Sequence, residues 1–222
     1  MIVEVNRILA AVTVLGFGRR AAVWVQGCRL ACPGCASVDT WESGAGADWA
    51  AEDLAATLVK AIVDGGLDGL TLTGGEPLDQ AAGLAEVVQL VRAGVASSLP
   101  DISPADSAKG FDVLAFTGYG LKAARKRAGR LWGLLDAVVA GPYRPDQPSS
   151  TPLIASANQE LLALTPAGRG RYPLSDATAR MQAVAIDGDL VMVGLPRPGD
   201  LDRLEAGLRE RGVVLSDVSW RR

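Results

Sequence analysis

Three cysteines, Cys28, Cys32 and Cys35, fall within the eight residues CRLACPGC, and the chain of 222 residues has no other cysteine and no histidine. The soft-metal ligands are therefore confined to one C-x3-C-x2-C loop. A [4Fe–4S] cube needs a ligand on each of its four irons and normally takes four thiolates. Three thiolates leave one iron for a group from outside the chain. The spacing thus points to a cluster that binds a substrate or cofactor directly. Three other readings compete with it. Structural zinc wants four ligands, so here it would have to recruit a carboxylate or a second chain. Cys32-Pro33-Gly34-Cys35 also has the spacing of a thiol redox pair, which leaves Cys28 without a role. The last is three buried thiols clustered by chance.

Composition narrows the setting. The length suits one domain, or one domain with an appendage, and 49% hydrophobic residues are enough for a sizeable core. A formal charge of −3 argues for neither nucleic acid nor an anionic membrane as partner. No run approaches the ~18 apolar residues of a membrane span. The apolar stretch Ile8 to Leu15 follows Glu4 and Arg7 and has no small-residue cleavage site after it, so a signal peptide is not expected. An odd number of clustered cysteines also disfavours a secreted disulfide scaffold. A cytoplasmic location is the expectation.

The elements that must position the cysteines alternate along the chain. Ala21 to Gln26 (AAVWVQ) is short, apolar and β-prone, and delivers the chain into the cysteine loop. Trp49 to Val63 repeats its apolar residues at Leu54, Leu58, Ala61 and Ile62, a helical period. A strand at Gly69 to Thr73 runs into Gly74-Gly75-Glu76-Pro77, and a helix follows from Gln80 to Ala93. Residues 97–109 are polar and rich in Pro and Ser, a loop by composition. Asp112 to Phe116 is the next strand, ending at Thr117-Gly118-Tyr119-Gly120. A helix over Leu121 to Ala128, extendable to Leu135, precedes a strand at Ala137 to Ala140. Apolar strands without polar alternation, interleaved with helices, predict a parallel sheet covered by helices. Beyond them, Thr165 to Asp176 reads as a linker, Met181 to Val193 as a hairpin turned at Asp187-Gly188, Asp200 to Arg211 as a helix and Val213 to Leu215 as a last strand.

In parallel α/β sheets, ligands bind at the carboxyl ends of the strands. Every unusual loop here falls at such an end: CRLACPGC, TGGEP, TGYG and GPYR each follow a strand. Gly74 and Gly75 would let backbone approach a ligand closely, and Glu76 would put a negative charge beside an ammonium. Read alone, TGGEP is equally an ordinary turn with a helix-starting proline. Arg19, Arg20 and Arg144 read as solvated surface arginines, and Trp24, Trp41, Trp132 and Trp220 as packing residues.

Taken in order, WVQGCRLACPGC, the DTW at Asp39 to Trp41, LTGGEPL, FTGY at Phe116 to Tyr119, AGPY at Ala140 to Tyr143 and SANQ at Ser156 to Gln159 resemble the radical S-adenosylmethionine superfamily. Within it they are most similar to the group that activates anaerobic ribonucleotide reductase and pyruvate formate-lyase. The resemblance implies a partial (β/α) barrel of parallel strands over residues 1–164. Residues 165–222 would be a small C-terminal extension of β-hairpin and helix that packs on this core or stands apart. It implies a [4Fe–4S] cluster held by Cys28, Cys32 and Cys35, with S-adenosylmethionine chelating the fourth iron. Gly74, Gly75 and Glu76 would receive its amino group, while Gly34, Cys35, Ala36, Thr117 and Gly118 would border its adenosyl part. No catalytic side chain is assigned beyond the cluster. The implied partners are a protein or peptide substrate such as a glycyl-radical enzyme, and an electron donor such as flavodoxin or ferredoxin. The chain departs from the group mainly on the substrate side: Gly34 and Ala36, not an aromatic residue, flank the third cysteine, and Ala140 precedes Gly141-Pro142-Tyr143. The extension would shape a partner surface or close a sheet edge.

Overall fold

The computed structural model describes residues 1–99, 110–172, 180–186, 189–216 and 218. Its centre is built by strands that are buried on both faces. β1 (Ile2–Val12), β2 (Arg20–Val25), β3 (Ala47–Ala50), β4 (Gly69–Gly74), β5 (Asp112–Thr117), β6 (Ala137–Ala140) and β7 (Glu160–Ala163) form one open sheet in the order β3-β1-β2-β4-β5-β6-β7. β2, β4, β5 and β6 are parallel, while β1, β3 and β7 run antiparallel to their neighbours. Every residue of β2 and β6 is buried, as a strand covered on both faces requires. The expected α/β class with parallel strands is borne out.

Alternate side chains of each strand feed different cores. Ala21, Val23 and Val25 of β2 join the largest apolar cluster with α1 (Ala51–Gly65) and α2 (Ala81–Ser98). Leu54, Leu58 and Ile62 recur every fourth residue on α1 and are fully buried there. Ala22 and Trp24 face the other way. They pack with Leu9, Val12, Leu15 and Val193, the last from a separate two-stranded hairpin of β8 (Met181–Ile186) and β9 (Asp189–Gly194). The hairpin therefore lies on the face of the main sheet and does not extend its edge. Gln182 of β8 fixes it to the N-terminal strand, accepting from the Thr13 backbone N–H at 2.9 Å and donating to the Ala11 carbonyl at 3.3 Å.

A buried charge network holds the opposite end of the strands. Arg20, with no exposed surface, forms a two-pronged pair with Asp112 on β5, Nη1 to Oδ1 at 2.8 Å and Nη2 to Oδ2 at 3.0 Å. Its Nε donates to the Thr71 hydroxyl at 2.7 Å, and Nη2 also reaches the Leu70 carbonyl at 2.8 Å. Asp112 accepts as well from Arg171 and from the Tyr172 hydroxyl. Arg20 is thus an internal tie across three strands and not a solvated residue. Its charge is stabilised inside because a carboxylate and neutral acceptors meet nearly every donor. Arg19 and Arg144 are exposed, as expected.

Several expected elements differ. The supposed linker from Thr165 holds a short helix, α4 (Pro166–Arg171), whose Thr165 side chain accepts from the Gly168 N–H; residues 173–176 lie outside the described residues. Tethering of Arg171 and Tyr172 to Asp112 draws this segment onto the sheet. α2 runs on to Ser98, so the polar stretch starts later than composition suggested, and residues 100–109 lie outside the described residues. Trp49 belongs to β3, because Ala47 to Ala50 pair with β1 before the helix begins. α3 (Leu121–Ala128) stops at Gly129, and a 3-10 turn carries the chain on to Leu134. α5 (Asp200–Glu210) is where the periodicity put it, but Val213 to Leu215 pair with no described strand. The turn Asp187-Gly188 and Trp220 lie outside the described residues. Among the described residues no helix is long and apolar enough to cross a membrane.

Burial by itself would raise the pKa of Asp112, but the guanidiniums of Arg20 and Arg171 outweigh it and hold the carboxyl below its usual range. Stability from this carboxylate is fully present above the ordinary aspartate range and is lost as pH falls through its lower folded-state value. Asp112→Ala strands two buried cations and should cost about 3–5 kcal/mol in urea unfolding.

Candidate functional site

The cysteine loop leaves the carboxyl end of β2 and is pinned at its base. The Gly27 N–H donates to the Thr40 carbonyl at 2.8 Å, and the Cys28 N–H to the Trp41 carbonyl at 3.0 Å. The Gln26 side chain spans the neck, donating to the carbonyls of Asp39 (3.2 Å) and Glu42 (2.6 Å) and accepting from Asn6 (2.7 Å). Within the loop the Cys35 N–H closes a turn onto the Cys32 carbonyl at 3.1 Å. Cys28, Cys32 and Cys35 are all free thiols and half-buried.

Without a metal to balance it, a thiolate is disfavoured at two of the three, although each has donors aimed at its sulfur. Burial pushes the thiols of Cys28 and Cys35 up, and backbone N–H groups of Leu30 and Ala31 act in the opposite direction on Cys28. On Cys35 the same opposing part is played by the Ser37 N–H, 3.4 Å from Sγ, and by the Trp41 side chain. Hydrogen bonds to sulfur of this kind are among the levers that set a cluster's potential. Among the described residues no three His, Cys, Asp or Glu side chains gather closely enough to hold a single metal ion. A cube takes one thiolate per iron, so it asks for three sulfurs around one cavity. The loop fits that demand.

The facing wall comes from β4 and β5. Gly74 has φ +98°, and a Cβ there would lie 2.6 Å from the Trp24 Cα. A Cβ on Gly75 would lie 2.3 Å from the Gly27 carbonyl oxygen, so only glycine lets the two loops touch. The Gly75 N–H reaches the Val25 carbonyl at 2.8 Å, and the Glu76 N–H reaches that of Gly27 at 2.9 Å. Glu76 itself is 1% exposed. Its Oε1 accepts from the Leu78 N–H (2.9 Å) and the Thr117 hydroxyl (2.7 Å), and Oε2 from the Gly118 N–H (2.8 Å). A carboxylate has about four lone-pair positions, so one remains on Oε2. The motif's acid is first of all a latch between the loops after β4 and β5.

All ten residues expected at the site line one cavity of about 800 Å³. They are the three cysteines, Gly34 and Ala36 from the first loop, Gly74, Gly75 and Glu76 from the second, and Thr117 and Gly118 from the third. Sequence reasoning missed other walls. Arg7 of β1 lies over Trp24, 5.5 Å from the ring centre, and its Nη1 meets Asp39 Oδ2 at 2.8 Å. Met181, Val191, Val193 and Leu195 of the hairpin region supply an apolar wall. A lone arginine in a strand carries no spacing signal, and the hairpin's alternation does not say which surface it meets.

Burial pushes the Glu76 carboxyl up to about 7, against the pull of its three donors, while Asp79 adds to the rise. The unfolded chain ionises near the ordinary glutamate value, so the cluster-free protein has its full stability below that value and loses part of it as pH rises towards 7. Glu76→Gln should flatten this loss in thermal unfolding between pH 5 and 8. It should also lower stability by about 1–3 kcal/mol, because its amide N–H2 opposes a backbone N–H.

Comparison with known proteins agrees with this arrangement. Residues 14–162, about two thirds of the chain, match the family model described as a 4Fe-4S single cluster domain. The pyruvate formate-lyase-activating enzyme of Listeria monocytogenes is 41% identical over 83 residues, 36% of this chain and 34% of that enzyme. The chain thus spans about a third of the length of that relative. The anaerobic ribonucleoside-triphosphate reductase-activating protein of Escherichia coli K12 is 28% identical over 142 residues, 60% of this chain and 80% of that protein. QueE from Escherichia coli aligns over 53% of each chain at 19% identity and a TM-score of 0.38, too distant to bear on the fold. The resemblance read from the motifs is borne out by relatives of both expected kinds. From just ahead of β2 through to β7, the chain belongs to the 4Fe-4S single cluster domain family.

Proposed function

We propose that this protein is a radical S-adenosylmethionine enzyme of the activating type, which makes a carbon-centred radical on a glycine of a partner protein. The observation that carries the reading is the convergence of three free thiols, the Gly74-Gly75-Glu76 turn and Thr117-Gly118 on one cavity at the carboxyl ends of parallel strands. Family membership and relatives named as activating proteins support it. Cys28, Cys32 and Cys35 would hold three irons and leave the fourth to S-adenosylmethionine. When bound, the two groups would supply a one-electron cleavage of the sulfonium to methionine and a 5′-deoxyadenosyl fragment, which would take a hydrogen atom from the glycine α-carbon and leave as 5′-deoxyadenosine.

The chain's own residues bind, orient and exclude water. The glycine pair brings backbone to the ligand's ammonium, and the open lone pair of Glu76 adds an acceptor beside it. Gly34 to Ala36 and Thr117-Gly118 border the adenosyl group. The hairpin's apolar wall keeps water from the radical. No step needs a histidine base, and the chain has none. The electron comes from a donor protein of the flavodoxin or ferredoxin kind.

Anaerobic reconstitution with iron and sulfide should give about four irons per chain, and dithionite with S-adenosylmethionine should then release 5′-deoxyadenosine. Cys32→Ala should lose both signals. A chain that holds a lone zinc ion, or a full cube without 5′-deoxyadenosine release, would overturn the assignment.

A further inference from the structure

We propose that Arg7 and Asp39 grip the main chain of the glycine that gives up its hydrogen; this rests on the function proposed above. The two side chains bind each other by one hydrogen bond, Arg7 Nη1 to Asp39 Oδ2 at 2.8 Å. Arg7 Nε and Asp39 Oδ1 are buried and have no partner. Buried polar atoms are nearly always satisfied, so each exception asks for a missing partner such as a water, an ion or a ligand. Both residues line the cavity shared with the cysteines. Each atom has almost no accessible surface in the free protein, so the pair holds an unused donor and an unused acceptor just behind the cavity wall, to be uncovered by side-chain rotation as substrate enters.

Their surroundings keep that rotation small. The guanidinium rests over Trp24. The Asp39 backbone is fixed through its carbonyl, which accepts from Gln26 at 3.2 Å and from Asn6 at 3.5 Å. The ion pair has no net charge, so it favours a neutral group that both accepts and donates over an anion or a cation. A residue in extended conformation presents its own C=O and N–H on the same side, as in the exchanging pairs of an antiparallel ladder. The C=O would accept from Arg7 Nε, and the N–H would donate to Asp39 Oδ1. Glycine has no side chain to hold, so these two groups are the handles it has. A grip of this kind aims the α-carbon without reading the neighbouring side chains, which other surfaces must do.

The test uses the capped peptide N-acetyl-Ala-Gly-Ala-amide, deuterated at the glycine α-carbon. In ¹H–¹⁵N spectra of the cluster-free protein, the Arg7 Nε–H signal, identified by its loss in Arg7→Lys, should shift saturably with peptide. Asp39→Asn, which sets an amide N–H2 against the peptide N–H, should need at least tenfold more peptide for the same shift. In the loaded protein, deuterium should pass from the peptide into 5′-deoxyadenosine. No shift at Arg7 overturns the proposal. So does an equal shift with free glycine, which would make the site one for an amino acid, or with S-adenosylmethionine alone, which would give the pair to the cofactor. A shift at Arg7 while 5′-deoxyadenosine forms without deuterium also overturns it. Four irons without any 5′-deoxyadenosine would be a failure of the enzyme reading, and the Arg7 signal reports on the grip separately.

Discussion

The carboxylate of Glu76 is shared by the loops that follow β4 and β5, and its backbone N–H is bonded to the residue before Cys28. Three strand ends therefore meet at one residue, two through its side chain and one through its backbone, and the cavity has its shape because they do. The latch works only at close range, which is why Gly75 sits against the Gly27 carbonyl where no Cβ fits. Burying an acid this deeply is unfavourable unless donors surround it. Here the Leu78 and Gly118 N–H groups and the Thr117 hydroxyl supply them, and Thr117 in turn accepts from the Tyr119 N–H. A glycine-rich rim is thereby tied tightly enough to present backbone to a ligand.

The other end of the strands is tied by Asp112, which meets Arg20 from β2, Arg171 from α4 and the Tyr172 hydroxyl. The sheet thus has a polar knot at each end with apolar layers between. They divide the work. The network at Asp112 fixes strand order and brings α4 onto the sheet, while the latch at Glu76 fixes the loops that carry chemistry.

Much of this was legible in the chain. The periodic apolar residues of α1 and the largely apolar, non-alternating runs of β2, β4, β5 and β6 carry their own local signal. The rule that ligands sit at the carboxyl ends of parallel strands then assembled the cysteine, TGGEP and TGYG loops. What escaped depends on partners remote in sequence. Arg20 has the look of a surface residue until Asp112, 92 positions away, is placed beside it. β1 reads in the sequence only as an apolar stretch, because its buried residues come at uneven intervals and its bulged register against β2 breaks simple alternation. Asp39 was noticed as part of a motif, but Arg7 gave no hint, since their meeting is made by a strand and a 3-10 turn 32 residues apart.

The hairpin of β8 and β9 has a consequence in time. Its bonds from Gln182 to Thr13 and Ala11 join residues about 170 positions apart. During synthesis the cysteine loop, the glycine turns and all seven strands of the main sheet leave the ribosome first, since chains fold from the N-terminal side as they emerge. Until the hairpin strands follow, the wall that Met181, Val191 and Val193 give the cavity is absent, so the cysteines emerge well before the surface that flanks them is built.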